Sequence, residues 1–340
     1  MKSSLSPPPT SIIHLINDAA LSSGGAQQIT NTIHLRTPED FTSEILSPRL
    51  LQSKSSQKKI NPIKAAIILL KRILFKKNTI FVIHNRLFLI PFIIFRNRKS
   101  VFICHCTYPD KNYIFKLIPH IKIIAVSDPT YNYLFKLNPR LNISTILNGI
   151  RKSPDEKRIK SQGEFFNIAF IGRLSREKGV LELVTAFSTA ANAYPNLRLH
   201  LIGDGELRSE LEAITTALNL KERVLFYGYQ PNPFELIKDA NLLIVPSHFE
   251  GFGLVYYEGL DRGHTILASK IAAFKGMPGD EHLFFFEPTN TDDLLEIIKD
   301  IFLRYNEIEA LPLLAVRHNC PTIEVMTENY FKAFKALYES

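Results

Sequence analysis

NLLIVPSHFEGFGLVYYEGL, Asn241 to Leu260, holds a strand, a turn and a helix in succession. Its first part is a short run of branched apolar residues closed by Pro246, which reads as a buried strand, and its last part has helical spacing. Between them stands Glu250, followed at once by Gly251, Phe252 and Gly253. A second carboxylate, Glu258, lies two turns into the expected helix, about 12 Å further along if all eight steps were helical. Glycine in such a turn lets backbone come close to a bound molecule, because no Cβ holds it off. A strand that passes its chain to a helix through a polar turn is the repeating unit of a covered parallel sheet.

The same rhythm runs along the chain. SIIHLIN, TIFVIHN, SVFICHC, KIIAVS and ISTILN recur in the first half; FNIAFIG, LRLHLIG, RVLFYG, HTILAS and HLFFFE join NLLIVPS in the second. Helix-sized segments separate most of them, which predicts an α/β protein of two doubly wound parallel-sheet domains. The domains are expected over residues 1–155 and 156–325, with a closing aromatic-rich helix over 326–340 that either stays with its own domain or returns to the first. RKSPDEKRIKSQGE, Arg151 to Glu164, has the composition of a linker. Ligands of open parallel sheets gather at the carboxyl ends of the strands, so two such sheets would face a site in the cleft between them.

Of the 340 residues, 45% are hydrophobic and 22% charged, an ordinary globular balance. Cys104, Cys106 and Cys320 make neither a disulfide framework nor a metal ribbon, which implies a reducing compartment. MKSSLSPPPTS is too polar for a signal peptide, and the longest apolar uncharged run, Leu87 to Phe95, is about half of what a membrane-spanning helix requires. The expectation is a cytoplasmic protein, peripheral on the inner face of the membrane. Residues 1–150 hold 20 Lys and Arg against 6 Asp and Glu, whereas the remainder holds 21 against 27. The segment Lys58 to Lys77 sets Ile68 and Phe75 among Lys64, Lys71, Arg72 and Lys76 on one helical arc, a pattern suited to an anionic membrane surface. No recognised nucleic-acid motif accompanies the charge, so nucleic acid is not an expected partner.

Other strand ends carry chemistry. FIGRLSREKG, Phe170 to Gly179, ends a strand at Gly172 and offers Arg173 and Lys178 before a helix. Free amides at a helix start, with two cations beside them, make a seat for a diphosphate. LIGDGELRSEL, Leu201 to Leu211, is a second glycine turn, and SSGGAQQ places Gly24 and Gly25 where backbone could approach a ligand. His84 and Asn85, at a first-domain strand end, are candidates to touch an acceptor. Cys104 and Cys106, on either side of His105, read as core or wall. There is no P-loop, no HExxH and no Asp-x-Asp, so no metal is expected and phosphate charge must be met by cations and amides.

Taken together, GRLSREKG, LIGDGELRSEL, VLFYGY and PSHFEGFGLVYYEGL resemble the retaining glycosyltransferases of family four, with weaker likeness in SSGGAQQ, AVSDPTYNYL and ILNGI. The resemblance implies the GT-B architecture of two Rossmann-like domains and a nucleoside diphosphate sugar, UDP or GDP type, as co-substrate, with no other cofactor. It implies that Glu250 accepts hydrogen bonds from the donor sugar's hydroxyls, that Gly251, Phe252 and Gly253 lie against sugar and phosphate, and that Glu258 accepts from the ribose. Arg173 and Lys178 resemble the family's diphosphate clamp, and His105 the histidine that reaches the sugar near its reacting carbon. Gly172, Gly228, Tyr229 and Leu254 fall within the same matched donor motifs. The expected acceptor is a glycan or glycolipid, and the membrane-suited basic segment favours a lipid-linked one, such as a cell-surface polysaccharide or lipopolysaccharide precursor. A sugar-nucleotide epimerase on the same fold, or a non-catalytic binding protein using the basic surface, are the competing expectations. The chain departs from the family in its short first domain and at Gly259, where alanine is usual.

Overall fold

The computed structural model describes residues 10–17, 24–47, 70–71, 75, 78–94, 99–108, 112–152, 163–274, 282–311 and 321–339. In chain order these form β1 (Thr10–Leu15), α1 (Gly25–Leu35), β2 (Phe41–Leu46), β3 (Thr79–Ile83), α2 (Ile90–Ile94), β4 (Ser100–Cys104), β5 (Lys122–Ala125), α3 (Asp128–Leu137) and β6 (Asn142–Thr145). There follow β7 (Phe166–Ile171), α4 (Val180–Ala193), β8 (Leu197–Ile202), α5 (Arg208–Ala217), β9 (Val224–Gly228), β10 (Leu242–Val245), α6 (Leu254–Asp261), β11 (Ile266–Ser269), β12 (Leu283–Phe286), α7 (Thr291–Leu303), α8 (Tyr305–Ala310) and α9 (Ile323–Glu339). The chain divides into two compact units, residues 1–149 with 323–340, and residues 150–322.

The first unit is a six-stranded parallel sheet in the order β2-β1-β3-β4-β5-β6. β3 (TIFVI) and β4 (SVFIC) are buried along their whole length, as strands covered on both faces must be. β2, FTSEIL, escaped the sequence reading because its polar residues break the apolar run; it is an edge strand and only half-buried. Ser127 caps α3 by accepting from the Thr130 amide, with Pro129 in the first turn. α9 belongs to this unit: Met326, Tyr330, Phe331 and Phe334 are buried, Phe331 packs on Phe41 at 5.9 Å, and Arg36 pairs with Glu324 at 2.8 Å.

The second unit repeats the design in the order β12-β11-β10-β7-β8-β9, again all parallel. α4 and α7 close one apolar face through Leu183, Phe187, Leu294 and Ile298. α6 contributes Tyr256 to the other, stacked 4.4 Å from Phe274. Asn290 caps α7 from its side chain.

Strand order reverses between β1 and β3 in the first unit and between β7 and β10 in the second. Loops diverge at such a reversal, which opens a crevice at the carboxyl edge of the sheet. Of the basic segment Lys58 to Lys77, the description reaches only Leu70, Lys71 and Phe75, all exposed; the remainder, and most of the linker Arg151 to Glu164, lie outside the described residues. Among the described residues, no helix is long and apolar enough to cross a membrane.

Candidate functional site

In the second unit, β7 ends at Ile171 and the chain turns through Gly172 and Arg173. The Gly172 amide donates to the Ile202 carbonyl at 3.0 Å and the Leu174 amide to the Asp204 carbonyl at 3.0 Å, which ties this loop to the one after β8. A short 3-10 turn over Arg176–Lys178 then ends at Gly179, whose φ is 65°. A Cβ there would sit 2.0 Å from the Pro246 carbonyl oxygen. Only glycine lets the turn close against the end of β10, and that closure sets Lys178 beside the loop carrying Glu250. The His248 amide, donating to the Glu177 carbonyl at 2.9 Å, joins the two loops again.

The result is a compact charged cluster at the strand-order reversal. Lys178 Nζ donates to Glu250 Oε1 at 2.5 Å, and Ser247 Oγ donates to the same oxygen at 2.8 Å. The two charged side chains are only 27% and 16% exposed, so their attraction is less screened than that of a surface pair. Arg173 lies in the same turn, 3.7 Å from Glu177, and is more open.

Gly251, Phe252 and Gly253 are buried, and Phe252 stacks on Tyr257 with ring centres 4.5 Å apart. Gly253 has φ 89° and precedes α6, whose first residue is the half-buried Leu254. That backbone is closed to other residues and to helix alike, so Glu258 stands one turn into α6 and not two; the 12 Å span expected from eight helical steps does not apply. Burial pushes the Glu258 carboxyl up to about 7, against the pull of the Arg262 and Arg151 guanidiniums. Gly228 closes β9 with φ 67°, and Tyr229 follows it, 39% exposed. Gly259 faces the sheet, where a Cβ would meet Leu243 Cδ2 at 2.5 Å and Ile266 Cδ1 at 3.1 Å, which accounts for glycine where the resemblance leads one to expect alanine.

The remaining candidates are in the first unit. Gly24 has φ 130° and precedes Gly25, the first residue of α1. His105 follows β4, and its Nε2 lies 2.8 Å from Nδ1 of His84. His84 and Asn85 stand at the end of β3. His84 is buried with both ring nitrogens engaged, and Asn85 Oδ1 accepts from the Leu87 amide at 2.9 Å. Cys104 is buried and Cys106 half-buried. Among the described residues, no group of three or more His, Cys, Asp or Glu is arranged to hold a metal ion.

Sequence reading missed Ser247, which fixes Glu250, and Arg151 and Arg262, which balance Glu258. Ser247 could have been found from its place directly after the strand-ending Pro246. The arginines carry no local signal, since Arg151 comes from the far side of the domain in sequence.

Residues 152–311 match the family model for glycosyl transferases group 1. The second unit is a group 1 glycosyl transferase domain. This glycosyl transferase domain is 30% identical over 133 residues to the lipopolysaccharide core biosynthesis glycosyltransferase LpsD of Rhizobium meliloti, covering 38% of each chain. It is 30% identical over 127 residues to the lipopolysaccharide 1,6-galactosyltransferase of Escherichia coli, covering 36% of this chain and 34% of the relative. The match spans about a third of the length of these curated relatives. Solved structures are similar across both units. A glycosyltransferase from Rickettsia africae superimposes with a TM-score of 0.72 at 18% identity, over 97% of this chain and 98% of that one. Anabaena HepE, solved with UDP and glucose, gives 0.74 at 16% identity, over 95% and 99%. At such identities the likeness is one of fold, and that fold is the two-Rossmann GT-B class implied by the sequence motifs.

Proposed function

We propose that this protein is a retaining, metal-independent glycosyltransferase that moves a hexose unit from a UDP- or GDP-type sugar to a hydroxyl of a glycan. The observation that carries the reading is the Lys178–Glu250–Ser247 cluster at the strand-order reversal of a glycosyl transferase domain. Glu250 accepts from the sugar's hydroxyls, held in place by Ser247. Lys178 and Arg173 meet the charge that grows on the departing diphosphate, where such contacts act in the transition state. Glu258 accepts from the ribose hydroxyls. In this reaction the bond from the sugar's anomeric carbon to the phosphate oxygen breaks, and the acceptor oxygen bonds to that carbon from the same face. The acceptor's proton leaves on the departing phosphate oxygen. Glu250 is a poor nucleophile in this scheme, because Oε1 already accepts from a cation and a hydroxyl.

The acceptor in this reading is a lipid-linked precursor of a cell-surface polysaccharide or lipopolysaccharide, met at the inner face of the cytoplasmic membrane. The relatives named for lipopolysaccharide synthesis support that choice. So does an apolar surface in the first unit: Leu87, Ile90, Tyr113 and Leu117 are each about half exposed or more around a groove of about 210 Å³ beside Arg86. The Lys58 to Lys77 segment adds the charge that an anionic bilayer attracts.

Incubation with UDP- and GDP-hexoses and a polyprenyl-linked glycan extract should release nucleotide only when acceptor is present. Glu250→Gln and Lys178→Ala should each lower the rate by about a hundredfold or more, the scale of one lost transition-state contact. Full turnover by both variants would refute the roles assigned, and isomerised donor without acceptor would replace transfer by epimerisation.

A further inference from the structure

Three histidines run through the first unit as a stack. His14 on β1, His84 after β3 and His105 after β4 have successive ring centres 5.2 Å apart, with planes inclined by 29° and 20°. They are also joined through their nitrogens: His14 Nδ1 to His84 Nε2 at 3.0 Å, and His84 Nδ1 to His105 Nε2 at 2.8 Å. In a neutral imidazole one nitrogen donates and the other accepts, so a chain of this kind has a direction and something must set it.

Thr30 on α1 is fully buried and touches the chain at one point, its Oγ1 lying 3.1 Å from His84 Nδ1. The same oxygen is 2.7 Å from the Ala26 carbonyl, one turn back in the helix. A carbonyl oxygen cannot donate, so the single hydroxyl hydrogen of Thr30 points at Ala26. What Thr30 turns toward His84 is therefore a lone pair, and His84 must carry its hydrogen on Nδ1. That hydrogen is shared with the bare Nε2 of His105, which leaves the hydrogen of His105 on Nδ1. On the other side, the bare Nε2 of His84 accepts from Nδ1 of His14. The chain then ends at His14 Nε2, a buried nitrogen without a partner among the described residues, as a bare acceptor and not an orphaned N–H.

We propose that Thr30, acting through His84, fixes the tautomer of His105, so that this histidine is held as an Nδ1–H hydrogen-bond donor. Thr30, His84 and His14 are positioning residues. The proposal rests on the reading of His105 as the side chain that meets the donor sugar, and it makes that side chain a donor of fixed sense and not a base. Burial keeps all three rings neutral: His105 is lowered to about 4, His14 to about 3, and His84 well below the usual value. A neutral stack keeps its direction, whereas a protonated ring would carry hydrogens on both nitrogens and break it.

The test is long-range proton–nitrogen correlation NMR on the full chain labelled with nitrogen-15 histidine, the three rings being assigned from single His→Gln variants. The expected result is an Nδ1–H tautomer for His14, His84 and His105. A hydrogen on Nε2 of His84 or His105 in the native chain overturns the proposal, whatever the variants do. Thr30→Val removes the lone pair and should raise the Nε2–H population of His105, while Thr30→Ser should restore the native pattern. An unchanged His105 tautomer in a folded Thr30→Val protein also overturns it. Where transfer is measurable, Thr30→Val should lower kcat on the order of tenfold with KM little changed, less than the roughly hundredfold cost of deleting a donor outright. The expected tautomers in a protein without transferase activity would uphold the array and refute the function; active protein with the wrong tautomers would do the reverse.

Discussion

Replacing Glu258 by Gln removes a carboxyl group that the fold holds partly desolvated. Its ordinary value of 4.5 is raised to about 7, with burial as the main cause. In the unfolded chain the group loses its proton near the ordinary value, while in the folded chain it keeps it until near 7. Between those limits the folded state binds more protons, so stability present at low pH is lost as pH rises. A difference of two to three units at 1.36 kcal/mol each comes to ~3 kcal/mol when fully developed, of which ~2 kcal/mol falls between pH 5 and pH 8. Glutamine has nearly the same volume and no proton to lose, so Glu258→Gln should recover that amount at pH 8 relative to pH 5. Urea unfolding of both proteins at about pH 5 and about pH 8, followed by near-ultraviolet circular dichroism, measures the change. Every other titrating group is common to the two proteins and cancels in the comparison. An equal stability difference at both pH values would refute the claim that this carboxyl is desolvated. A difference that grows in favour of the native protein at high pH would mean that the two arginines dominate.

The same carboxyl should release a proton when a nucleoside diphosphate binds, because ribose hydroxyls that donate to it favour its charged form. Calorimetry near pH 6.5 in buffers of different ionisation enthalpy would show this release, and its persistence in Glu258→Gln would assign the proton elsewhere. Gly259→Ala should destabilise the second unit by about 1–3 kcal/mol, since the new methyl meets Leu243 at 2.5 Å and this outweighs the gain of ~1 kcal/mol in helix propensity; an unchanged urea midpoint would show that α6 can move aside. Ile90→Asp should weaken flotation with phosphatidylglycerol vesicles without lowering turnover on a soluble acceptor, and undiminished flotation would remove this groove from the membrane face.

The sheets were legible because their strands are dense apolar runs such as TIFVI and FNIAFI, which parallel pairing buries on both sides. β2 was not, for the contrary reason: at the edge, one flank needs no apolar cover, and FTSEIL looks like a loop. The turns of the candidate site were legible as strand ends followed by glycine. Lys178 and Glu250 lie 72 residues apart, and their direct contact depends on Gly179 fitting beneath Pro246, a fact of backbone clearance that spacing does not express. The histidine stack was invisible in a stronger sense. His14, His84 and His105 are neighbours only because the sheet places β1, β3 and β4 side by side, and their orientation is set from a helix by a threonine that no motif singles out.

If Lys178 and Glu250 seat the donor as proposed, their pairing bears on which molecules the protein would turn away. A bare phosphate would draw the ammonium group away and leave a shielded carboxylate uncompensated, whereas a free sugar would have to compete with that ammonium for the same oxygen. A molecule that carries an anion at one end and hydroxyls at the other relieves both partners at once. In the proposed function the resting contact would act as a double lock, turning away inorganic phosphate and free hexose alone and yielding to the two joined together.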